Sequence, residues 1–79
     1  MGDDGFVENN PLRRWRRARG LTQAEVARML RASAKSVLDW ERGGIVPTKH
    51  FPALARLMEM DEPRLRGAWT RWRDRLRVA

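Results

Sequence analysis

Apolar residues recur at intervals of three and four positions through most of the chain, which is typical of amphipathic helices. No segment alternates apolar and polar residues for long enough to indicate a strand. The sequence therefore predicts an all-α fold, a compact five-helix domain spanning residues 9–79. The predicted helices cover about 11–19, 23–30, 34–42, 51–59 and 62–77.

Capping residues support several of these boundaries. Asn10 stands before Pro11, the order expected for an N-cap followed by proline at the first helical position. Thr22 and Glu25 have the spacing of a capping box, in which each side chain accepts a hydrogen bond from the other residue's backbone N–H. Gly20 suits the residue that follows the end of the first helix.

The charge is strongly unbalanced along the chain. Among 79 residues, 17 Lys and Arg oppose 10 Asp and Glu, a net charge of +7. Residues 1–8 carry Asp3, Asp4 and Glu8, and we expect them to form a flexible acidic N-terminal tail. From Pro11 onward 17 basic residues, 15 of them Arg, oppose seven acidic ones. Since the guanidinium is a planar fork of donors matched to phosphate, this excess favours a nucleic-acid partner over a merely solvated surface.

Several other classes of protein are disfavoured. The chain has no cysteine and a single histidine, His50, so we expect no disulfide and no metal site. No nucleophile–base pair or phosphate-binding loop is recognisable. We therefore expect that the protein is not an enzyme and that it binds no cofactor. No apolar run approaches about 18 residues, and MGDDGFVENN lacks the apolar core of a signal peptide. We therefore expect a cytoplasmic protein without a membrane partner.

Three separated motifs follow one another in the first half of the chain. They are R-x-x-x-G-L-T-Q-x-E-V-A from Arg16, L-x-x-S from Leu30, and V-x-x-W-E-R-G from Val37. Together they resemble the lambda-repressor-like, or Cro/Xre-type, helix-turn-helix family over residues 12 to about 60. In the DNA-binding version of this motif the second helix of the pair enters the major groove. The resemblance implies a transcriptional regulator that binds double-stranded DNA in a sequence-specific manner. We expect it to act as a repressor and to be associated with the nucleoid.

The resemblance also assigns DNA contacts by position. The base-contacting set is Ala34, Lys35, Leu38 and Asp39. The phosphate-contacting set is Gln23, Ser33, Ser36, Arg42, Lys49, Arg14 and Arg17. Within the first set Lys35 is the only strong donor for guanine, whereas Asp39 can accept from a cytosine amino group or pair with Lys35 one turn away.

Two further positions matter for the construction of the motif. Arg16 and Glu41 match a family pair that forms a salt bridge between the first and third helices, and losing one partner would leave a desolvated charge. The family turn usually has glycine where Arg31 stands. An arginine there either adopts the left-handed conformation at some cost, or the turn is built differently.

The C-terminal helix suggests an oligomer. Its apolar stripe contains Leu65, Trp69, Trp72 and Leu76, and in the resembled family the region after the fourth helix commonly forms the dimer contact. We therefore expect a homodimer through Trp69, Trp72 and Leu76, which would place two reading helices ~34 Å apart on a palindromic site. The alternative is that both tryptophans pack within their own chain.

Two other binding functions remain open at this point. A helix-turn-helix module used for protein–protein contacts, of the antitoxin or scaffold type, is favoured by Ala34, Leu38 and Asp39. An excisionase or MerR-like DNA-binding protein also fits W-x-x-x-G-x-V-P, which ends at Pro47. That protein would need a β-wing after Pro47, where FPALARLMEM instead indicates a helix.

Overall fold

The computed structural model describes residues 9–78, and for residues 77 and 78 it describes the backbone alone. The predicted acidic tail, residues 1–8, lies outside the described residues. Within them the chain is all-α, as predicted, with five α-helices, one short 3-10 turn and no strand. The elements are α1 Pro11–Ala18, α2 Gln23–Leu30, α3 Ala34–Arg42, a 3-10 turn Thr48–His50, α4 Phe51–Leu57 and α5 Glu62–Val78.

The helix ends agree with the expected caps, with small differences in length. The bounds of α2 and α3 are as predicted, α1 and α4 end earlier, and α5 runs one residue further. The end of α4 has a clear local cause, because Glu59 adopts a positive φ of 54°. The N–H of Met60 then donates to the carbonyl of Ala55 at 2.8 Å, closing the helix in the manner of a Schellman turn.

Each of the first three helices begins at a side-chain cap. The Asn10 side chain accepts from the Arg13 N–H at 2.9 Å. Thr22 and Glu25 form the full capping box, at 3.0 Å to the hydroxyl and 2.8 Å to the carboxylate. These contacts satisfy N–H groups that have no partner inside the helix.

All five helices contribute to one apolar core. The ring of Trp69 lies at its centre, with its edge against Phe51 at 5.6 Å and Trp72 at 5.9 Å between centroids. Edge-to-face packing of this kind suits the ring quadrupoles. The other buried apolar residues are Leu12, Val26, Ala27, Val37, Trp40, Leu54, Ala55, Met58 and Leu65.

The expected dimer contact is wrong for the two tryptophans. Trp69 is 1% exposed and Trp72 is 4% exposed, both within the core of their own chain, so neither ring is available to a second copy. Leu76 is half-buried and packs beside them. A Cβ added to Gly43 would lie 2.7 Å from Leu76 Cδ1, so α5 packs tightly on the end of α3. Homodimerisation itself stays a prediction.

The segment after Pro47 does not form a wing. It continues as the 3-10 turn Thr48–His50 and then as α4. The described part of the chain thus has no β-hairpin at the place where an excisionase or MerR-like protein needs one.

Candidate nucleic-acid interface

The turn between α2 and α3 is built around a left-handed arginine. Arg31 has φ 55° and ψ 42° and caps the end of α2. The Ala32 N–H then donates to the Ala27 carbonyl at 2.8 Å, which turns the chain within three residues. Arg31 thus adopts the left-handed conformation at the position where the family usually has glycine, at a cost of roughly 1–2 kcal/mol for a residue with a Cβ.

The beginning of α3 presents two hydroxyl groups. Ser33 Oγ accepts from the Ser36 N–H at 3.0 Å as the N-cap, and it donates to Ser36 Oγ at 2.9 Å. Ser33 is exposed and Ser36 is half-buried. Because the Ser33 proton is already engaged, the hydroxyl of Ser36 is the one with a proton left to donate to a phosphate.

A buried carboxylate holds α3 against the two preceding helices. Glu41 is fully buried and accepts twice from Arg16, from Nε at 2.7 Å and from Nη2 at 2.9 Å. The remaining Arg16 nitrogen donates to the Leu21 carbonyl at 2.9 Å. The expected ion pair is therefore present, and it is bidentate, which adds both strength and a defined geometry.

Gln23 belongs to the same network. Its Nε2 donates to Glu41 Oε1 at 3.1 Å, and the residue is half-buried. The expectation from the sequence placed Gln23 on a phosphate. The structure gives its amide an intramolecular partner at the end of α3, and the phosphate contact stays a prediction. One amide proton remains free to reach a phosphate.

The outward face of α3 brings the four expected base contacts together. Ala34 is exposed, Leu38 is half-buried, and the Lys35 side chain is 85% exposed. Lys35 Nζ lies 4.0 Å from Asp39 Oδ2, at the outer limit of an ion pair. An exposed pair of this length contributes little to stability, so the ammonium can exchange Asp39 for another partner.

The remaining expected phosphate contacts are more widely spread. Arg42 is exposed at the end of α3, and Lys49 is exposed on the 3-10 turn that follows. Arg14 and Arg17 are exposed on α1. Arg14 lines a separate cleft with Arg71 and Arg75 of α5. The sequence pattern did not indicate that these three arginines lie close together. Contacts between helices so far apart in the chain leave no periodic signal.

The described residues hold no group of three His, Cys, Asp or Glu side chains placed to bind a metal. The lone His50 packs its ring against Trp40, with centroids 4.8 Å apart. No helix in the described part is both long and apolar enough to cross a membrane.

A family model described as a helix-turn-helix domain matches residues 11–67, and the chain belongs to this family. The match runs from the start of α1 into α5, in agreement with the resemblance to the Cro/Xre type. Comparisons with curated proteins and with solved structures give no match. Helix-turn-helix domains are typically DNA-binding modules rather than enzymes, so membership indicates a DNA-binding regulator.

Proposed function

We propose that this protein is a sequence-specific double-stranded DNA-binding transcriptional repressor that reads the major groove with α3. One observation carries the proposal: α3 combines a fixed inner face with an open outer face. Glu41 anchors the inner face to Arg16 and Gln23, while Lys35 on the outer face is 85% exposed. A reading helix needs both, because base contacts require a defined position and free donors.

The dimensions and chemistry of α3 suit the groove. A helix with its side chains is about 10–12 Å in diameter, and the major groove is about 12 Å wide, so α3 can enter the groove. Lys35 supplies a donor for guanine O6 and N7. Ala34 and Leu38 can contact thymine methyl groups, and Asp39 can accept from a cytosine amino group.

Phosphate contacts come from the surroundings of α3. The free hydroxyl proton of Ser36, the second amide proton of Gln23, and the exposed Arg42 and Lys49 are the available donors. Such contacts fix the register of the helix on the duplex and carry no base information. They also make the affinity depend on salt, with a slope of about −0.9 in log K against log salt for each phosphate neutralised.

Selection of bound duplexes from a random pool tests the proposal directly. We expect enrichment of a defined site, followed by tight binding of that site in a titration at low salt and weaker binding at higher salt. Absence of duplex binding even at low salt would contradict the proposal. A repressor further predicts that the selected site, placed over a promoter, lowers reporter expression when the protein is present.

Homodimerisation on DNA and a location at the nucleoid are part of the same proposal. With Trp69 and Trp72 buried, a dimer would use the exposed side of α5 or the half-buried Leu76. A palindromic selected site and a doubled mass in sedimentation on DNA are the expected results. A single half-site and a strictly monomeric complex would exclude the dimer.

One observation favours a second function, contact with a protein partner. Met29 is 52% exposed and Ile45 is 53% exposed, and these are the large apolar side chains most exposed in the described part. Single exposed apolar side chains are normal on soluble domains. DNA therefore remains the favoured partner, and failure of the duplex selection would support this alternative.

A further inference from the structure

A second basic site lies between α1 and α5. It is a cleft of about 310 Å³ with three arginines on its walls. We call it the arginine cleft, and it is lined by Asn9, Arg14, Ala68, Arg71, Trp72 and Arg75. No acidic residue is among these lining residues.

The three guanidinium groups have no carboxylate partner among the residues that the structure describes. Arg14, Arg71 and Arg75 are all exposed. Two arginines elsewhere do have such a partner: Arg16 lies 2.7 Å from Glu41, and Arg66 lies 2.8 Å from Glu62. Arg71 and Arg75 are also four residues apart on one helix, where like charges repel. An anion placed between them and Arg14 would relieve this repulsion.

The α1 wall of the arginine cleft is the side of that helix that does not contact α3. On α1, Leu12 is buried and Arg16 binds Glu41 of α3. Arg14 stands two positions from each of them, so it points about 200° around the helix axis. Arg14 thus lies on the side of α1 opposite its contact with α3, and we infer that a duplex bound to the outer face of α3 leaves the cleft open.

We propose that the arginine cleft binds the phosphodiester backbone of a second DNA segment, so that one protein molecule holds two duplexes. Three guanidinium forks match phosphate oxygens, which they can bind in pairs of hydrogen bonds. An acidic protein partner fits less well, because protein interfaces centre on apolar anchors and Trp72, the one large apolar lining residue, is 4% exposed. Holding the first duplex rests on the proposed function of α3.

A capture experiment tests this proposal. A duplex carrying the selected site is immobilised, loaded with protein and washed, and a fluorescent duplex of unrelated sequence is then added. We expect the wild type to retain the second duplex. Arg71→Ala combined with Arg75→Ala should lower this retention at least about tenfold and reduce its salt slope by about 1.8, since two phosphate contacts are lost. Binding to the first duplex should change less than about twofold.

A matched control separates the cleft from overall charge. Arg56→Ala combined with Arg64→Ala removes two exposed arginines outside the cleft and should leave capture of the second duplex intact. Equal loss in both double variants would overturn the proposal, as would no capture by the wild type. Unchanged capture by the cleft variant would also overturn it, since a dimer with two copies of α3 would then explain the bridging.

A second measurement is independent of α3. The unrelated duplex is titrated alone against the wild type and both double variants. Weaker binding by the Arg71 and Arg75 variant alone supports the cleft even if no specific site is found for α3. Equal affinity of all three proteins overturns it. If the random-pool selection yields no specific site but the unrelated duplex still binds through the cleft, the proposed function of α3 fails while this inference stands.

Discussion

The two faces of α3 carry ion pairs of opposite character. On the inner face, Glu41 is fully buried and lies 2.7 Å from Arg16, whose side chain is 11% exposed. On the outer face, Lys35 and Asp39 are 4.0 Å apart with side chains 85% and 32% exposed. Each pair uses a carboxylate of the nine-residue α3, but Glu41 reaches across to Arg16 of α1, whereas Asp39 pairs with Lys35 within α3. They differ in how much water surrounds them.

That difference assigns the two pairs different roles. A buried charge that loses its partner is costly, so Glu41 and Arg16 hold α3 in one position relative to α1. Water screens the exposed pair, so Lys35 and Asp39 can separate at little cost. The inner pair therefore orients the helix, and the outer pair leaves it free to bind.

The largest effect is expected from breaking the inner pair. Glu41→Gln removes the carboxylate charge and leaves the guanidinium of Arg16 without a charged partner in a mostly buried position. We expect the free energy of unfolding to fall by about 3–5 kcal/mol, measured by urea denaturation. Asp39→Asn, on the outer face, is the matched control and should change it by less than about 0.5 kcal/mol. Similar losses in both variants would remove the distinction between the faces.

The outer face should show its effect in binding. Lys35→Ala is expected to weaken binding to the selected site by about 1–3 kcal/mol and to relax the preference at one base pair. Its free energy of unfolding should stay within about 0.5 kcal/mol of the wild type. Titrations of the selected site and of single-base variants, with urea denaturation alongside, measure both quantities. A loss of stability comparable to that of Glu41→Gln would mean that the exposed pair is structural.

Gln23 connects the two faces, and its substitution should affect both. Gln23→Ala removes the hydrogen bond to the Glu41 carboxylate, which is expected to cost about 1.5 kcal/mol of stability. It should also weaken binding to all DNA sequences by a similar factor, because a phosphate contact carries no base information. An unchanged unfolding midpoint would show that the hydrogen bond from the Gln23 amide to Glu41 does not form in solution.

The smallest effect concerns the capping box at the start of α2, which lies outside both faces of α3. The Thr22 N–H, followed by the Thr22 hydroxyl, holds the pKa of Glu25 below its ordinary value of 4.5. A lowered pKa in the folded state means that the carboxylate contributes stability above pH 4.5 and loses it as pH falls through the lowered value. The stability difference between wild type and Glu25→Gln should therefore be present at pH 7 and disappear in stronger acid. A difference independent of pH would contradict this.

Much of the fold could be predicted because its signals are local. Asn10, the Thr22 and Glu25 pair, and Ser33 act within three residues of themselves, and each begins a helix where expected. The salt bridge between Arg16 and Glu41 could be predicted because the resembled family has such a pair at these positions. Helix ends were less certain, since the left-handed Glu59 that ends α4 has no glycine to signal it.

Parts of the site could not be predicted because they depend on contacts between residues that are far apart in the sequence. The amide of Gln23 was expected on a phosphate, and its hydrogen bond to Glu41 depends on how α2 and α3 pack. Trp69 and Trp72 form an apolar stripe that suits either a core or a dimer contact. Only the packing of α5 shows that both rings are buried.

The sequence by itself determined the helices, their caps, the family and the basic character of the chain, since these depend on neighbours in sequence or on composition. Only the tertiary structure decided which charges are buried and which arginines face one another. Arg14 and Arg71 are 57 positions apart, yet they line the same cleft. Burial and distance across helices set the strength of the charged contacts between helices, and neither quantity exists until the helices pack.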